Sequence, residues 1–337
     1  MILNTAWFVL LAFTLAVYAV LDGFDLGVGA IHLLLGHTRD ERERLIDTIG
    51  PVWNGNEVWL LAAGGSMVVA FPNLYAASFS GFYLALMLVL WLLLLRGLGI
   101  EFRHQIHHPM WEDAWDVVFC GASLLLALLF GVALANVLRG VPFDANGEFR
   151  GTFALLLNPF ALLGGLLSVA TLSLHGASWA ALKTGGDLQH RARRFARVLW
   201  FPSAALLVAI TASSFAVRPD FTRNFTAHPL LMVFPGLTVA ALALNYVSTL
   251  RSADRRAFLA SSAYIAGVLA SIAAGLYPVL LPGVGGAGGL DIYNAAAPRE
   301  SLRIALMVYL AGLAIVSVYL VNVYRVWKGK SGRAYQL

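Results

Sequence analysis

Two groups of polar residues stand inside otherwise apolar runs, and both are of types that hold or move protons. The first is Asp22 and Asp25 in LDGFDLGVG, three residues apart and so on one face of a helix. The second is Asn54, Asn56 and Glu57 in PVWNGNEVWLLAAGG, flanked by Trp53 and Trp59, with Asn54 and Glu57 again three apart. Two neighbouring acids at low dielectric can hold or pass a proton, and Asn54 and Asn56 can orient Glu57 or a water beside it. The same residues would serve as acceptors in a structural polar knot with no path to solvent, and spacing alone does not separate the two. An ionisable side chain in a bilayer costs about 2.5–3.5 kcal/mol on insertion scales, so such residues face a partner, a cavity or an ion path.

A third polar stretch is LRGLGIEFRHQIHHPMWEDAWD. Glu101 lies between Arg96 and Arg103, where it can collect protons at a membrane surface or form a surface salt bridge. His104, His107 and His108 fall within a helical turn, but no matched carboxylate or HExxH pattern accompanies them, so a solvated interfacial face is expected and no metal site. His32, His175, His190 and His228 sit near the ends of apolar runs, are expected as interfacial anchors, and supply no axial haem ligand. The single cysteine, Cys120, excludes a disulfide framework and any CxxC or CxxCH motif. No cofactor is assigned to this chain.

The elements that must position these residues are membrane helices. Of 337 residues, 59% are hydrophobic and only 12% charged, and the mean hydropathy is +0.76, too apolar for a soluble domain. About 20 apolar residues cross a ~30 Å hydrocarbon core. That ruler predicts an all-α, single-domain polytopic protein over 1–337 with nine spans, at about 6–35, 56–71, 75–95, 115–138, 155–182, 197–216, 229–249, 257–281 and 301–326. The first run lacks preceding basic residues and is too long for a signal peptide, so it reads as a retained span. The second is short and polar at its start, as expected of a helix held by other helices rather than lipid. Asp22 and Asp25 would lie roughly 22 and 27 Å along the first helix, in its inner half.

Orientation follows from the loops. With the N-terminus outside, the cytoplasmic side collects 17 of the 23 Lys and Arg, among them Arg39, Arg42, Arg44, Arg103, Arg191, Arg193 and Arg333, so the positive-inside rule predicts N-out and C-in. The formal charge of +5 is thus a matter of topology and not of nucleic-acid binding. The segment PGVGGAGG at 282–289 has neither the preceding strand nor the following Lys-Ser/Thr of a phosphate cradle and reads as a flexible outer loop.

Six motifs together resemble subunit II of the cytochrome bd-type quinol oxidases, including the cyanide-insensitive branch. They are LDGFDLGVG (21–29), PVWNGNEVWL (51–60), FPNLYAASFSGFY (71–83), RGLGIEFR (96–103), GVALANVLRGVPF (131–143) and LLNPFALLGG (156–165). The resemblance implies a nine-helix subunit paired with a haem-bearing subunit I, which holds the quinol site and haems b558, b595 and d, with small single-helix accessory subunits possible. It implies a bacterial cytoplasmic membrane, quinol oxidation and reduction of dioxygen to water with protons drawn from the cytoplasm. Carried onto this sequence, it makes Glu101 a candidate uptake point and Asp22 and Asp25 the acid pair of the first helix. Relatives have an acid after the Trp of the PxW motif where this chain has Asn54, which cannot ionise; Glu57, one turn on, is expected to substitute. A structural scaffold for subunit I and a stand-alone transporter are the rival expectations.

Overall fold

The computed structural model describes residues 2–143, 149–284 and 288–331. Gly285, Gly286 and Ala287 of the glycine-rich segment, and Arg333 of the tail, lie outside the described residues. Helix α1 (Ile2–Leu35) is followed by the short charged α2 (Arg39–Asp47), then α3 (Trp53–Ala70), α4 (Pro72–Gly81) and α5 (Tyr83–Phe102). Helix α6 (Pro109–Arg139) and the single turn α7 (Phe153–Leu156) lead to α8 (Pro159–Lys183), α9 (Gly186–Val217) and the short α10 (Arg223–Ala227). Helices α11 (Val233–Leu250), α12 (Asp254–Leu276) and α13 (Arg299–Val326) follow, with an antiparallel ribbon of β1 (Val279–Leu281) and β2 (Leu290–Asp291) between the last two.

Among the described residues eight helices are long and apolar enough to cross a membrane: α1, α5, α6, α8, α9, α11 with its leading 3₁₀ turn, α12 and α13. The chain is a multi-pass membrane protein. Helix α3, 18 residues with a polar start, falls outside that group.

Two elements differ from expectation. The run expected as one span at 75–95 is divided between α4 and α5, and α5 continues to Phe102. Phe82 leaves helical values at ψ 18° although its N–H still reaches Ser78 O at 2.9 Å, so the step is a kink. It seats the buried Phe82 against Phe149, whose ring would lie 2.6 Å from a Cβ on Gly81. The span expected at 257–281 ends as a helix at Leu276, because Pro278 has no N–H to continue it, and Val279–Leu281 forms β1 instead; the fold is helical but not purely so.

Helix α1 runs through the centre. From Asp22 to His32 every residue is buried, wrapped by α3, α6, α8 and α12. Small residues permit this: a Cβ on Gly27 would lie 1.9 Å from Leu172 O of α8, and one on Gly176 would lie 2.2 Å from the Gly27 carbonyl carbon. Close backbone approach at small residues is how helices associate without a hydrophobic drive between them. At one end of the bundle Leu35, Leu45, Ile49, Trp179 and Leu188 form a core; at the other Trp7, Phe71, Phe143, Leu281 and Ile292 form a second. Asn4 donates to Ile292 O at 2.6 Å and Ser331 N to Lys183 O at 2.8 Å, so the N-terminal and C-terminal segments dock at opposite ends.

Candidate functional site

Asp22 and Asp25 sit one turn apart on the buried face of α1 and are completely shielded from solvent. Each has its own partner. Arg96, on α5 and itself fully buried, donates from Nη1 to Asp22 Oδ1 at 2.6 Å and from Nη2 to Glu57 Oε2 at 3.2 Å. Asn56 donates from Nδ2 to Asp25 Oδ2 at 2.8 Å and to Leu21 O at 3.2 Å, while Tyr324 of α13 donates to Asn56 Oδ1 at 2.8 Å. One guanidinium therefore joins α1, α3 and α5, and one amide joins α1, α3 and α13.

The reason these groups meet is local geometry. Asn56 and Glu57 are adjacent on α3, so they point about 100° apart, one inward to Asp25 and one sideways to Arg96. Trp53 lies at the same level, its ring 3.2 Å from where a Cβ on Gly97 would stand, so a glycine beside Arg96 lets α3 and α5 close up. Four buried polar atoms of the site, Asp22 Oδ2, Asp25 Oδ1, Arg96 Nε and Trp53 Nε1, have no protein hydrogen-bond partner. Glu57 is the member nearest the outside, its side chain 25% exposed. Buried charges joined in this way, with spare acceptors, can hold a proton and hand it between carboxylates.

Several expectations are corrected by these contacts. Asn54 is exposed and does not orient Glu57; Arg96 does. Asn56 orients Asp25 and not Glu57. Glu101 is exposed and makes no ion pair among the described residues, because Arg96 is committed to Asp22 and Glu57, and Arg103 to Asp116. His32 and His175 are not interfacial anchors but fully buried within the bundle.

A second buried centre was not anticipated. Asp116 of α6 accepts from Arg103 Nε at 2.7 Å, pairs with His32 Nε2 at 2.8 Å and receives Arg42 Nη1 at 3.4 Å, tying α1, α5, α6 and α2 together. The sequence held a signal: Asp22, Asp25 and His32 lie at i, i+3 and i+10, on one face of α1. His175 uses both ring nitrogens, on Ser261 Oγ at 2.7 Å and Val20 O at 3.0 Å, and stacks on Phe258. The other histidines are exposed.

The family described as cytochrome bd terminal oxidase subunit II matches residues 3–327, nearly the whole chain. The chain belongs to that family. As a subunit II, it is one part of a terminal oxidase, an oxidoreductase complex. A Haemophilus influenzae protein named probable cytochrome oxidase subunit 2 is 36% identical, the alignment covering 96% of this chain and 93% of the relative. The Bacillus subtilis cytochrome bd ubiquinol oxidase subunit 2 is 34% identical over 94% and 95% of the two chains. The Escherichia coli K12 cytochrome bd-I ubiquinol oxidase subunit 2 is 31% identical over 97% and 93%. In fold, this subunit II superposes on a chain of the bd oxidase from Geobacillus thermodenitrificans with a TM-score of 0.80, over 97% of this chain and 99% of that one, at 19% identity. Both ring nitrogens of His175 are taken, and Nε2 of His32 is held by Asp116.

Proposed function

We propose that this chain is the haem-free half of a quinol:dioxygen oxidoreductase of a bacterial cytoplasmic membrane. It pairs with a haem-bearing subunit I, which carries haems b558, b595 and d and the quinol site, with or without small single-helix accessory subunits. In this reading α3 is a ninth crossing, held by α1 and α5 rather than by lipid, with the N-terminus outside and the C-terminus in the cytoplasm. The basic end of the bundle, where Arg39, Arg42, Arg191 and Arg193 gather, supports that orientation.

The chain's own work is to seal the flank of subunit I and to supply part of the route by which cytoplasmic protons reach the oxygen chemistry. The observation that carries this is the joining of Asp22 and Glu57 by one buried arginine, with Asp25 one turn from Asp22 on Asn56 and Glu57 at the rim. Asp22, Asp25 and Glu57 hold and pass the proton; Arg96 sets the charge balance; Asn56 and Trp53 fix the geometry. Asn54 lies on the exposed face of α3 beside Val58 and Leu61, the face offered to subunit I. Glu101, exposed on α5 five residues beyond Arg96, is an acid at the inner surface and a rival uptake point.

A purely structural role has its own support, since Arg96 with Asp22 is a close, fully buried ion pair whose loss would unsettle the bundle. The two roles part at Glu57. In Glu57→Gln the partly exposed amide keeps an acceptor for Arg96 but loses the proton. Turnover of the assembled oxidase is expected to fall by about 10²-fold, the scale of a positioned proton-transfer group. Undiminished oxygen consumption in a complex of normal haem content would leave only the scaffold.

A further inference from the structure

A cavity that Glu101 does not line lies near the carboxylate network. At the end of the bundle formed by α2, the end of α8 and the C-terminal segment, an open cavity of about 40 Å³ is lined by Asp47, Thr48, Trp179, Lys183, Tyr324 and Lys330. A cavity needs roughly 10–15 Å³ by this measure to hold one water, so this one has room for about three. Tyr324 lies on its wall, and the Tyr324 hydroxyl is the group that donates to Asn56 Oδ1 at 2.8 Å, while Asn56 Nδ2 donates to Asp25 Oδ2 at 2.8 Å. The cavity wall is thus two hydrogen bonds from the buried carboxylate of α1. Asp25 Oδ1 has no protein partner and is free to accept.

The mouth is built to stay in place. Lys183 Nζ donates to Trp327 O at 2.7 Å and lies 5.0 Å over the Trp179 ring, and Ser331 N donates to Lys183 O at 2.8 Å. These contacts hold the residues after α13 against the end of α8. Asp47 is different: it is half-buried on α2 and makes no hydrogen bond or ion pair among the described residues. An acid at an opening with room for water and with no direct ion pair is available to titrate.

We propose that Asp47 is the proton-collecting group of this subunit, and that the cavity below it, bounded by Tyr324, delivers protons to Asp25. The proposal rests on the function argued above and names the uptake point that function requires. The Asp47 carboxylate takes a proton from bulk water and releases it to water in the cavity. Water continuing from the cavity past Tyr324 and Asn56 passes it to Asp25 Oδ1, the carboxylate oxygen without a protein partner, and Asp47 returns to its ionised form; no electron moves and no bond other than O–H forms or breaks. Tyr324 and Asn56 are positioning residues: their hydrogen bonds hold Asp25 Oδ2 and leave Oδ1 as the receiving oxygen. From Asp25 the proton has Asp22, one turn away, and then Glu57 across Arg96 as its outlet. Burial, and then Glu43, raise the Asp47 carboxyl above its ordinary range against the opposing charges of His104 and Arg103. A raised value suits a group that must capture protons. The other charged groups at this mouth are Lys183, Lys328 and Lys330.

The test uses the purified two-subunit oxidase, with haem content and subunit ratio checked for every variant. Oxygen consumption and proton uptake are measured at about pH 6 and about pH 8 for Asp47→Asn, Asp47→Glu, Tyr324→Phe, Glu101→Gln and Glu57→Gln. Asp47→Asn and Tyr324→Phe are expected to lower turnover by about tenfold near pH 8 and by less near pH 6, where protons are plentiful, with Asp47→Glu restoring it. Asp47→Asn and Tyr324→Phe at wild-type rates at both pH values, with Glu57→Gln slow, would overturn the uptake point and leave the proton role standing. Wild-type rates for Glu57→Gln as well would overturn both. A loss confined to Glu101→Gln would move the uptake point to α5.

Discussion

Arg96 is the residue on which the site balances. It is fully buried and satisfies Asp22 and Glu57 from two nitrogens of one planar group, a geometry that a lysine ammonium cannot reproduce. Arg96→Gln would leave Asp22 ionised in the bundle with no counter-charge, at a cost of about 3–5 kcal/mol. The expected outcome is a sharp fall in the thermal midpoint of the purified complex, or failure to assemble, with Arg96→Lys rescuing only part. Asp22, Asp25 and Glu57 were legible in the sequence because carboxylates in apolar runs are rare. Their pairing was not. Arg96 reads as a neighbour of Glu101 on one helix, and only the packing of α1, α3 and α5 turns it toward Asp22, 74 residues away. The same holds for His32 and Asp116, each unremarkable alone and joined by a contact across 84 residues.

Helices α1 and α8 meet closely enough that their backbones touch where side chains would normally stand. Gly27→Ala places a methyl group 1.9 Å from Leu172 O, a contact that only movement of the backbones can relieve. Overpacking of this kind costs about 1–3 kcal/mol, and a rigid backbone neighbour puts Gly27→Ala at the upper end. It should lower the thermal midpoint, whereas Gly121→Ala, with nothing within 4 Å, should not. The short helix α2 makes a separate prediction. Thr38 and Glu41 form a capping box, and Arg191 of α9 lies 2.6 Å from Glu41. Burial would raise the Glu41 carboxyl, but Arg191 and the N–H groups of His37 and Thr38 outweigh it and hold it below its ordinary value. A lowered folded value means that the stabilisation is present above the unfolded pKa of about 4.3 and lost as pH falls below it. Acidification should therefore loosen α2 from α9 first, read as hydrogen exchange in α2, and Glu41→Gln should abolish that pH dependence. Element positions followed hydropathy well for α1, α6 and α13. They failed where a single residue decides: Phe82 divides an apolar run that looks continuous, and Pro278 converts the end of an expected helix into a strand.

At the scale of the whole molecule, one end gathers Arg39, Arg42, Arg191 and Arg193 in ion pairs, the other packs Trp7, Phe71, Phe143 and Ile292 in an apolar core, and the polar network lies between them. The exposed faces of α3 and α5 carry large apolar side chains, Val58, Leu61, Leu88, Trp91 and Leu98 among them, as a chain that works beside other membrane helices requires. Length and composition alone indicated a polytopic membrane protein, and the motif order indicated its family. The division of labour with subunit I is a property of the assembly that no single chain spells out. The most direct test is to purify the chain in mild detergent from its native membrane, and separately after expression alone, recording a reduced-minus-oxidised spectrum and a subunit inventory of each. The account predicts b- and d-type haem bands travelling with a second, larger membrane subunit in the first preparation, and a colourless chain in the second. A native preparation that is colourless, stable and free of any partner would contradict it.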